Sequence, residues 1–578
     1  MTTKESDVEE DMTEPFTSVS DRDNVYIIHR GKPSKEHSPF GKVATKPRWP
    51  EKLWSTGQVV YSIKSKDECL GPPQSPDDIT LRFDSRFESG NLAKALKLTP
   101  DSYHLILEYD HNEAGTCQWF YFRVSNVRTS MKYTFYISGF HKETSLFSTG
   151  LRCFMYSEKR ARNEGISWMH CGSNYSYSVT SRTKYKGKRA TVQFTTKFPY
   201  DDDICYLCYA LPYTYTDLNH NIQIWDKMAK PGVFQHEILC QSLCGRDVPV
   251  LSITSPDSSI PLAGKSCIFL TGRIHPGESN GSFVLHGLID FLLSDHPVAK
   301  YILDHCIVRI VPMIGVDGVV EGSYRVSLMG HDLNRMWTNP NPVLHPEIWK
   351  TKNLIAQTAM ERPVVVYIDF HGHSSLHGTF AYGCPNTGDT GLRDAEKTLP
   401  RLYAFLSDAF SWEHCVFTFP KDRKDAGRIV VRREMGVVQS FTIETSFGGV
   451  KAGPYAGMLY DEILWKKLGA SCGEAIYHLL IPTASPLVSY VNKELVYFMP
   501  SNKSDRKQED DKTAVPVKFA ESNDEKEIDL SPLLKEGMEG KTLKVKKPDS
   551  YFKFNVDDIA TTPPKEVYPK WKPMEFNA

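Results

Sequence analysis

An α/β domain with a mixed, mostly parallel sheet, preceded by an antiparallel β-sandwich, is the fold class this 578-residue sequence predicts. Two periodicities carry the prediction. Between about 55 and 210 short runs alternate on a two-residue period, and between about 213 and 482 apolar strand-like runs alternate with helical stretches. The length leaves room for about two to four domains. A chain that is 40% hydrophobic and 24% charged can bury a core of that size without covalent staples.

Residues 1–50 are rich in Ser, Thr, Lys, Asp and Glu with little periodicity, and read as a flexible arm. The segment 51–212 holds runs such as Gln118-Trp119-Phe120-Tyr121-Phe122-Arg123-Val124, Tyr133 to Ile137 and Thr191 to Phe194, which alternate as half-buried strands do. In 213–484 the order is Cys267 to Leu270, a helical stretch Ser282 to Ser294, Ile307 to Val311, a second helical stretch His345 to Met360, then Val364 to Ile368. That βαβ rhythm predicts parallel strands. Residues 485–578 read as a charged, largely disordered tail: 23 of the 50 residues from 501 to 550 are charged with Phe519 their only aromatic, and aromatics become frequent again around the prolines of Tyr551 to Ala578.

Charge and cysteine usage narrow the function classes. With 69 Lys+Arg against 70 Asp+Glu the net charge is −1, so nothing draws the whole protein to a phosphate backbone, and nucleic acid is not expected. No window approaches eighteen apolar residues and Met1 to Pro15 is polar and acidic, so neither secretion nor a membrane span is expected. Thirteen cysteines, an odd count scattered from Cys69 to Cys472, suit a reducing cytosol.

Two clusters follow apolar strands directly, where sites of open α/β sheets collect. One is Thr271-Gly272-Arg273-Ile274-His275-Pro276-Gly277-Glu278, the other Asp369-Phe370-His371-Gly372-His373-Ser374. Alone, each is an ordinary turn or surface loop. Together they offer a His and Glu three apart and a second His, the His₂Glu set that catalytic zinc uses with a fourth position left for water. His373 rivals His371, but His371 is better placed to point into the sheet's mouth, and Asp369 could orient it. Between the clusters lies Gly322 to Arg335, where Arg325, Asn334 and Arg335 can grip a carboxylate and stabilise an oxyanion. In the last strand-like run, Ser440 to Gly449, Glu444 stands among apolar neighbours, and burial would raise its pKa toward that of a general base. Gly264-Lys265-Ser266 only mimics the end of a phosphate loop, since Ser259 stands where the first glycine belongs. Cys205-Tyr206-Leu207-Cys208 has no second pair and reads as buried thiols.

Taken in order, His275-Pro-Gly-Glu278, Arg325, Asp332-Leu-Asn334-Arg335, Asp369-Phe-His371-Gly-His373 and Phe441-Thr-Ile-Glu444 resemble the zinc metallocarboxypeptidases, specifically the cytosolic carboxypeptidase (tubulin deglutamylase) subfamily. Arg86 to Leu92, Gln118 to Phe122 and Pro212-Tyr213-Thr214-Tyr215 resemble the β-domain found only in that subfamily. The resemblance covers roughly 55 to 480. It implies one zinc per chain held by His275, Glu278 and His371, with Glu444 deprotonating the zinc-bound water. Arg325 would stabilise the tetrahedral oxyanion, and Asn334 and Arg335 would bind the substrate's terminal carboxylate. Basic residues before Glu444, Arg428 first and Lys424 second, would favour a departing Glu or Asp. The implied substrates are polyglutamylated tubulin or other proteins with acidic C-termini, in the cytoplasm at microtubules, centrioles or cilia. A second basic run, Arg182 to Arg189, could meet an acidic tail. The sequence departs from the family's pattern at Pro312-Met313-Ile314-Gly315-Val316-Asp317-Gly318, and it has no tyrosine between Val416 and Glu444 to serve as a lid. Two further readings are an inactive microtubule-binding scaffold and an aspartoacylase-like amidohydrolase acting on small N-acyl amino acids.

Overall fold

The computed structural model describes residues 57–112, 115–182, 188–386, 394–450 and 453–497. The expectations for the arm 1–50 and for the chain beyond 497 lie outside the described residues. Eleven strands come first: β1 Gln58–Ser62, β2 Arg82–Asp84, β3 Lys94–Thr99, β4 Ser102–Ile106, β5 Tyr121–Ser125, β6 Tyr133–Phe140, β7 Cys153–Ser157, β8 Met169–Cys171, β9 Ser173–Arg182, β10 Lys188–Thr196 and β11 Cys205–Cys208. They form a six-stranded sheet, β1-β3-β4-β6-β10-β9, and a five-stranded sheet, β2-β5-β11-β7-β8. Every pairing is antiparallel except that of β4 with β6, which is parallel. The alternating pattern of β6, buried at Tyr133, Phe135 and Ile137, turns one face inward. There Phe83, Tyr103 and Phe135 meet with ring centroids 5.4–6.4 Å apart. Cys205 and Cys208 are buried in β11, and all thirteen cysteines are free thiols.

The second set is β12 Phe234–Gln241, β13 Asp247–Ile253, β14 Ser266–Gly272, β15 Cys306–Val311, β16 Val364–His373, β17 Thr379–Gly383, β18 Val416–Phe417 and β19 Gln439–Ser446. Their order is β12-β13-β15-β14-β16-β19-β17-β18. The four central strands, β15, β14, β16 and β19, are parallel to one another, with antiparallel pairings at β12/β13, β13/β15 and β17/β19. From Cys267 onward every residue of β14 is buried, as is the stretch Val366–Gly372 of β16, so both sheet faces are covered. The helix expected over Ser282 to Ser294 runs Ser279–Leu292, and the one expected over His345 to Met360 runs Pro346–Glu361, with Pro346 in its first turn. The strand expected to end at Ile368 continues to His373, because its register with β19 carries on through His371↔Glu444 and His373↔Ser446.

Three loose ends of the sequence resolve structurally. Lys265 is buried, and its ammonium donates to Thr254 Oγ1 and to the carbonyls of Ser255 and Leu303 at 2.7–3.0 Å, tying down a turn. The divergent stretch after Met313 forms the short helix Val316–Val320, and Asp317 within it accepts from Ser242 Oγ, Cys244 N and Arg246. The segment read as a tail from residue 485 opens instead with a helix, Pro486–Tyr497, which buries Val488 and Val491; the apolar spacing of those two valines is helical and was masked by the charged sequence that follows. Among the described residues no helix is long and apolar enough to cross a membrane.

Helix Ser279–Leu292, which leads away from the first His/Glu cluster, is locked by helix Glu462–Leu480. Their backbones cross where Gly287 faces Lys466 and Gly469 faces Val284. A Cβ at Gly469 would stand 2.1 Å from the Val284 carbonyl oxygen and 2.4 Å from Leu288 N. Replacing an interior helical glycine by alanine should gain about 1 kcal/mol from propensity, but overpacking a tight contact costs about 1–3 kcal/mol or more. The second effect wins when the clash is with backbone. Gly469→Ala is therefore expected to lower the thermal unfolding midpoint, and a raised midpoint would contradict the close crossing.

Candidate active site

The parallel register of β14, β16 and β19 brings the two His-bearing segments and Glu444 to one end of the sheet. Just beyond β14 the buried Arg273 takes a left-handed φ of 54° and staples the turn: its guanidinium donates to Pro276 O at 2.6 Å, Tyr213 O at 2.8 Å and Ser282 Oγ at 3.1 Å. The turn delivers His275 and Glu278 inward, both about 95% buried. His275, Glu278 and His371 each offer a ligand atom, and these atoms lie within 4.8 Å of one another.

The tautomers are set by what stands behind each ring. His275 faces Glu278 Oε1 through Nδ1 (3.0 Å) and Asp332 Oδ1 through Nε2 (3.0 Å). His371 faces Glu278 Oε2 through Nδ1 (2.9 Å) and Asp369 Oδ2 through Nε2 (2.6 Å). The result is an alternating row, Asp332–His275–Glu278–His371–Asp369, in which both Nδ1 atoms converge on the central carboxylate. With each Nε2–H donated to an outer carboxylate, giving up the Nδ1 protons that now meet Glu278 would leave both Nδ1 lone pairs to a cation. Asp369 is itself fixed by Thr271 Oγ1 at 2.8 Å, and Asp332 by the Arg325 guanidinium at 2.6 Å. Burial opposes ionisation of Glu278, yet the two imidazoles hold its carboxyl well below the usual range. A buried, carboxylate-rich row with two nitrogens and an oxygen converging is the donor chemistry that suits zinc.

His373 stands apart. Its Nδ1 accepts from Ser375 N and Leu376 N at 3.3 and 3.0 Å, and burial, then the nearby Lys142, push its pKa down to about 4. It is a neutral turn-capping ring. The carboxyl of Glu444, a residue beside His371 in the sheet, makes no hydrogen bond to any described residue, and burial pushes it up to about 7 against the pull of His371.

The remaining candidates divide. Asn334 is buried, its Oδ1 accepts from Gly427 N at 2.9 Å, and its Nδ2 lies 3.4 Å from His371 Nε2. Arg335 donates to Asn334 O at 2.9 Å and feels the Asp332, Arg325 and Arg423 charges. Arg428, at the start of helix Gly427–Met435, is 5% exposed, with its guanidinium 5.5 Å from the Tyr382 ring centroid and no carboxylate bonded to it among the described residues. Burial lowers its pKa and Glu444 lies within reach of its charge. Lys424 is exposed, and no contact places it at the cluster. The neighbouring Arg423 does reach it, interacting with Arg335, Arg428 and His373. Residues 183–187 of the second basic run lie outside the described residues; Arg189 at its end is buried and donates to Gly115 O at 2.7 Å, so it is no surface contact.

Sequence reasoning missed three contributors. Asp332 was read only as part of a motif, although an acid two residues before Asn334 was a visible hint. Lys142, which donates to Ser374 Oγ, and Asp110 come from the β-domain with no local signal.

An α/β sheet whose adjacent parallel strands lead to two histidines and a glutamate, with ligand atoms within 4.8 Å of one another, is the arrangement of a protein that could hold a metal ion there. Residues 222–413 match the family model for zinc carboxypeptidases, and residues 83–209 match that for the cytosolic carboxypeptidase N-terminal domain. Cytosolic carboxypeptidase 2 of Danio rerio is 38% identical over 411 residues, 70% of this chain and 56% of the relative. Cytosolic carboxypeptidase 1 of Mus musculus is 34% identical over 523 residues, 82% of this chain and 42% of the relative. A metallo-carboxypeptidase from Burkholderia cenocepacia shares the fold, with a TM-score of 0.57 at 20% identity over 70% of this chain and 100% of that one. The chain belongs to the zinc carboxypeptidase family, in its cytosolic carboxypeptidase branch. It spans about half the length of the curated relatives it matches. The zinc carboxypeptidase match includes His275, Glu278, Arg325, Asn334, Arg335 and His371 and stops before Lys424, Arg428 and Glu444, whose placement rests on geometry alone.

Removing the acid behind His275 tests the row. Asp332→Asn keeps the shape but takes away the charge that orients the ring, and is expected to weaken zinc binding roughly 10–100-fold. Competition against a chromophoric chelator measures it, and unchanged affinity would refute the role.

Proposed function

We propose that this chain is a zinc-dependent carboxypeptidase that removes glutamate from acidic protein C-termini or from side-chain-linked polyglutamate, with polyglutamylated tubulin as its expected substrate in the cytoplasm. The observation that carries the reading is Glu444 beside the His275–Glu278–His371 cluster, with the buried Arg428, to which no carboxylate is bonded among the described residues, within reach of the Glu444 charge. Zinc held by His275, Glu278 and His371 would supply Lewis-acid polarisation of the scissile carbonyl and a water of lowered pKa. Glu444 takes the proton of the attacking water and hands it to the departing amine, a task its raised pKa suits. Arg325, whose guanidinium is held to Asp332 at 2.6 Å, donates to the oxyanion as the carbonyl becomes tetrahedral. Asn334, with its Oδ1 already committed to Gly427 N, presents its amide N–H to the terminal carboxylate beside Arg335. Arg428 receives the side-chain carboxylate of the departing residue. Arg423 replaces Lys424 as the second cation, since its charge reaches Arg428 and Lys424 has no contact there.

The presence of the general base together with all three ligands supports an enzyme over an inactive scaffold. A β-domain lysine, Lys142, that donates to Ser374 Oγ and acts on His373 supports a chain-like acidic substrate over a small N-acyl amino acid.

Glutamate release from polyglutamylated tubulin, followed with and without a zinc chelator, tests the reading. Release should stop with the chelator, and Glu444→Gln should lower kcat by roughly 10²–10⁴-fold with zinc still bound. No release from zinc-loaded wild type would sink the proposal. Arg428→Leu should cost glutamate-ending peptides roughly 10–100-fold in kcat/KM, the worth of one charge-assisted hydrogen bond, and spare peptides with a neutral last residue. Equal losses on both would remove Arg428 from the specificity pocket.

A further inference from the structure

The loop from Glu321 to Met336 carries Arg325, Asp332, Asn334 and Arg335, yet its only regular piece is one short 3₁₀ turn, Leu333–Arg335. Its internal backbone bonds before that turn are Ser327 N to His331 O at 2.9 Å and Gly330 N to Ser327 O at 2.8 Å. Bonds from the catalytic domain hold it at Tyr324 O, which accepts from Gly277 N at 2.7 Å, and at Asp332 and Asn334; the main-chain amides at 324–326 are held from the β-domain. Asp110, in the loop that follows β4, is 5% exposed and spends both carboxylate oxygens on this segment. Its Oδ1 accepts from Tyr324 N at 2.8 Å, and its Oδ2 accepts from Arg325 N at 2.7 Å and Val326 N at 3.2 Å. Thr116 Oγ1 donates to the same Oδ2 at 2.9 Å and holds the carboxylate in place.

Three successive amides aimed at one carboxylate form an anion nest, here filled by a side chain 214 to 216 residues away. The fit around it is close. Ser89 donates through N and Oγ to the carbonyls of Val320 and Val319, at 2.8 and 2.7 Å. At Gly330, where φ is +75°, a Cβ would lie 2.1 Å from His111 O, so the next residue of the β-domain backbone lies flat on the same loop.

We infer that Asp110 is a positioning residue for the reaction: it pins the main chain at 324–326 while Asp332 pins the guanidinium, so that Arg325 is held from both ends. The inference rests on the reading of Arg325 as the oxyanion donor. It makes the β-domain part of the catalytic apparatus, supplying a strut to a loop with few backbone bonds of its own.

The experiment is a double-mutant cycle in the full chain, measuring glutamate release and zinc content for wild type, Asp110→Asn, Arg325→Ala and the double variant. Asp110→Asn keeps the size but turns an N–H toward the nest. It should lower kcat roughly 100-fold, as a catalytic group displaced by about 1 Å does, with KM and zinc stoichiometry little changed. In the Arg325→Ala background the same change should cost nothing further, because the group it positions is gone. Hydrogen exchange should show the amides of Tyr324, Arg325 and Val326 losing protection in Asp110→Asn. Full kcat in Asp110→Asn would overturn the inference, and so would an equal further loss in the Arg325→Ala background, which would mark a general structural role. A wild type without activity would overturn the carboxypeptidase reading and this inference with it. If Asp110→Asn does not fold, Thr116→Val carries the test: freeing Oδ2 from its hydroxyl should give a several-fold loss of kcat and faster exchange at 324–326, and unchanged values in both would overturn the proposal.

Discussion

Both oxygens of one buried carboxylate, Glu278, are committed to imidazole nitrogens from separate segments, and the rest of the site is arranged to keep them there. Oε1 meets His275 Nδ1, and Oε2 meets His371 Nδ1 together with Gly372 N. A carboxylate so enclosed is costly unless compensated. Compensation here runs outward in both directions, to Asp369 backed by Thr271 and to Asp332 backed by Arg325. Because β14 and β16 are adjacent and parallel, their ends can bring the two histidines to the same carboxylate without strain in either strand. The buried Arg273 then fixes the turn that carries His275 and Glu278. A cation placed between the nitrogens completes this electrostatic arrangement, and the row already has the hydrogen bonding that such a centre needs.

How far the sequence carried this depends on whether a feature is local. The strand runs Cys267 to Leu270 and Ile307 to Val311 were legible because hydrophobicity and chain direction are written in consecutive residues, and so was the pairing of His275 with Glu278, three residues apart. The parallel contact of β4 with β6 was not legible, since alternation says which face is apolar and nothing about the neighbour's direction. Arg428 and Lys424 are equally basic in sequence. The structure separates them because Arg428 enters a buried helix start and Lys424 stays on the exposed turn before it. Asp332 and Asp110 act across 57 and about 215 residues, and only the folded chain says whom they meet. The helix Pro486–Tyr497 was hidden for a different reason, being short and directly joined to a strongly charged stretch.

The overall charge of −1 conceals a local cluster of cations around the candidate ligands. Arg325 and Arg335 act on Asp332, Arg423 acts on Arg335 and Arg428, and Lys142 acts on His373. Arg423 depresses the pKa of both Arg335 and Arg428, behind the larger effect of their burial, so these guanidinium groups repel one another. Arg335 has Asp332 as partial relief, whereas Arg428 has an aromatic ring and the more distant Glu444. Like charges held together by the fold raise the free energy of the empty pocket.

On the proposed reading, that repulsion would supply a reason for the substrate class beyond simple attraction. A terminal glutamate carries two carboxylates on one residue, separated by a short flexible chain. One would be taken by Asn334 and Arg335, and the other by Arg428. A neutral last residue would bring only the first, and would leave Arg428 buried with the repulsion from Arg423 unrelieved. Selectivity would then arise as much from rejecting the residue that fails to discharge the site as from holding the one that does. Screening by salt acts mainly on the exposed Arg423 and hardly on Arg428, so such discrimination would survive where long-range steering of an acidic chain would not.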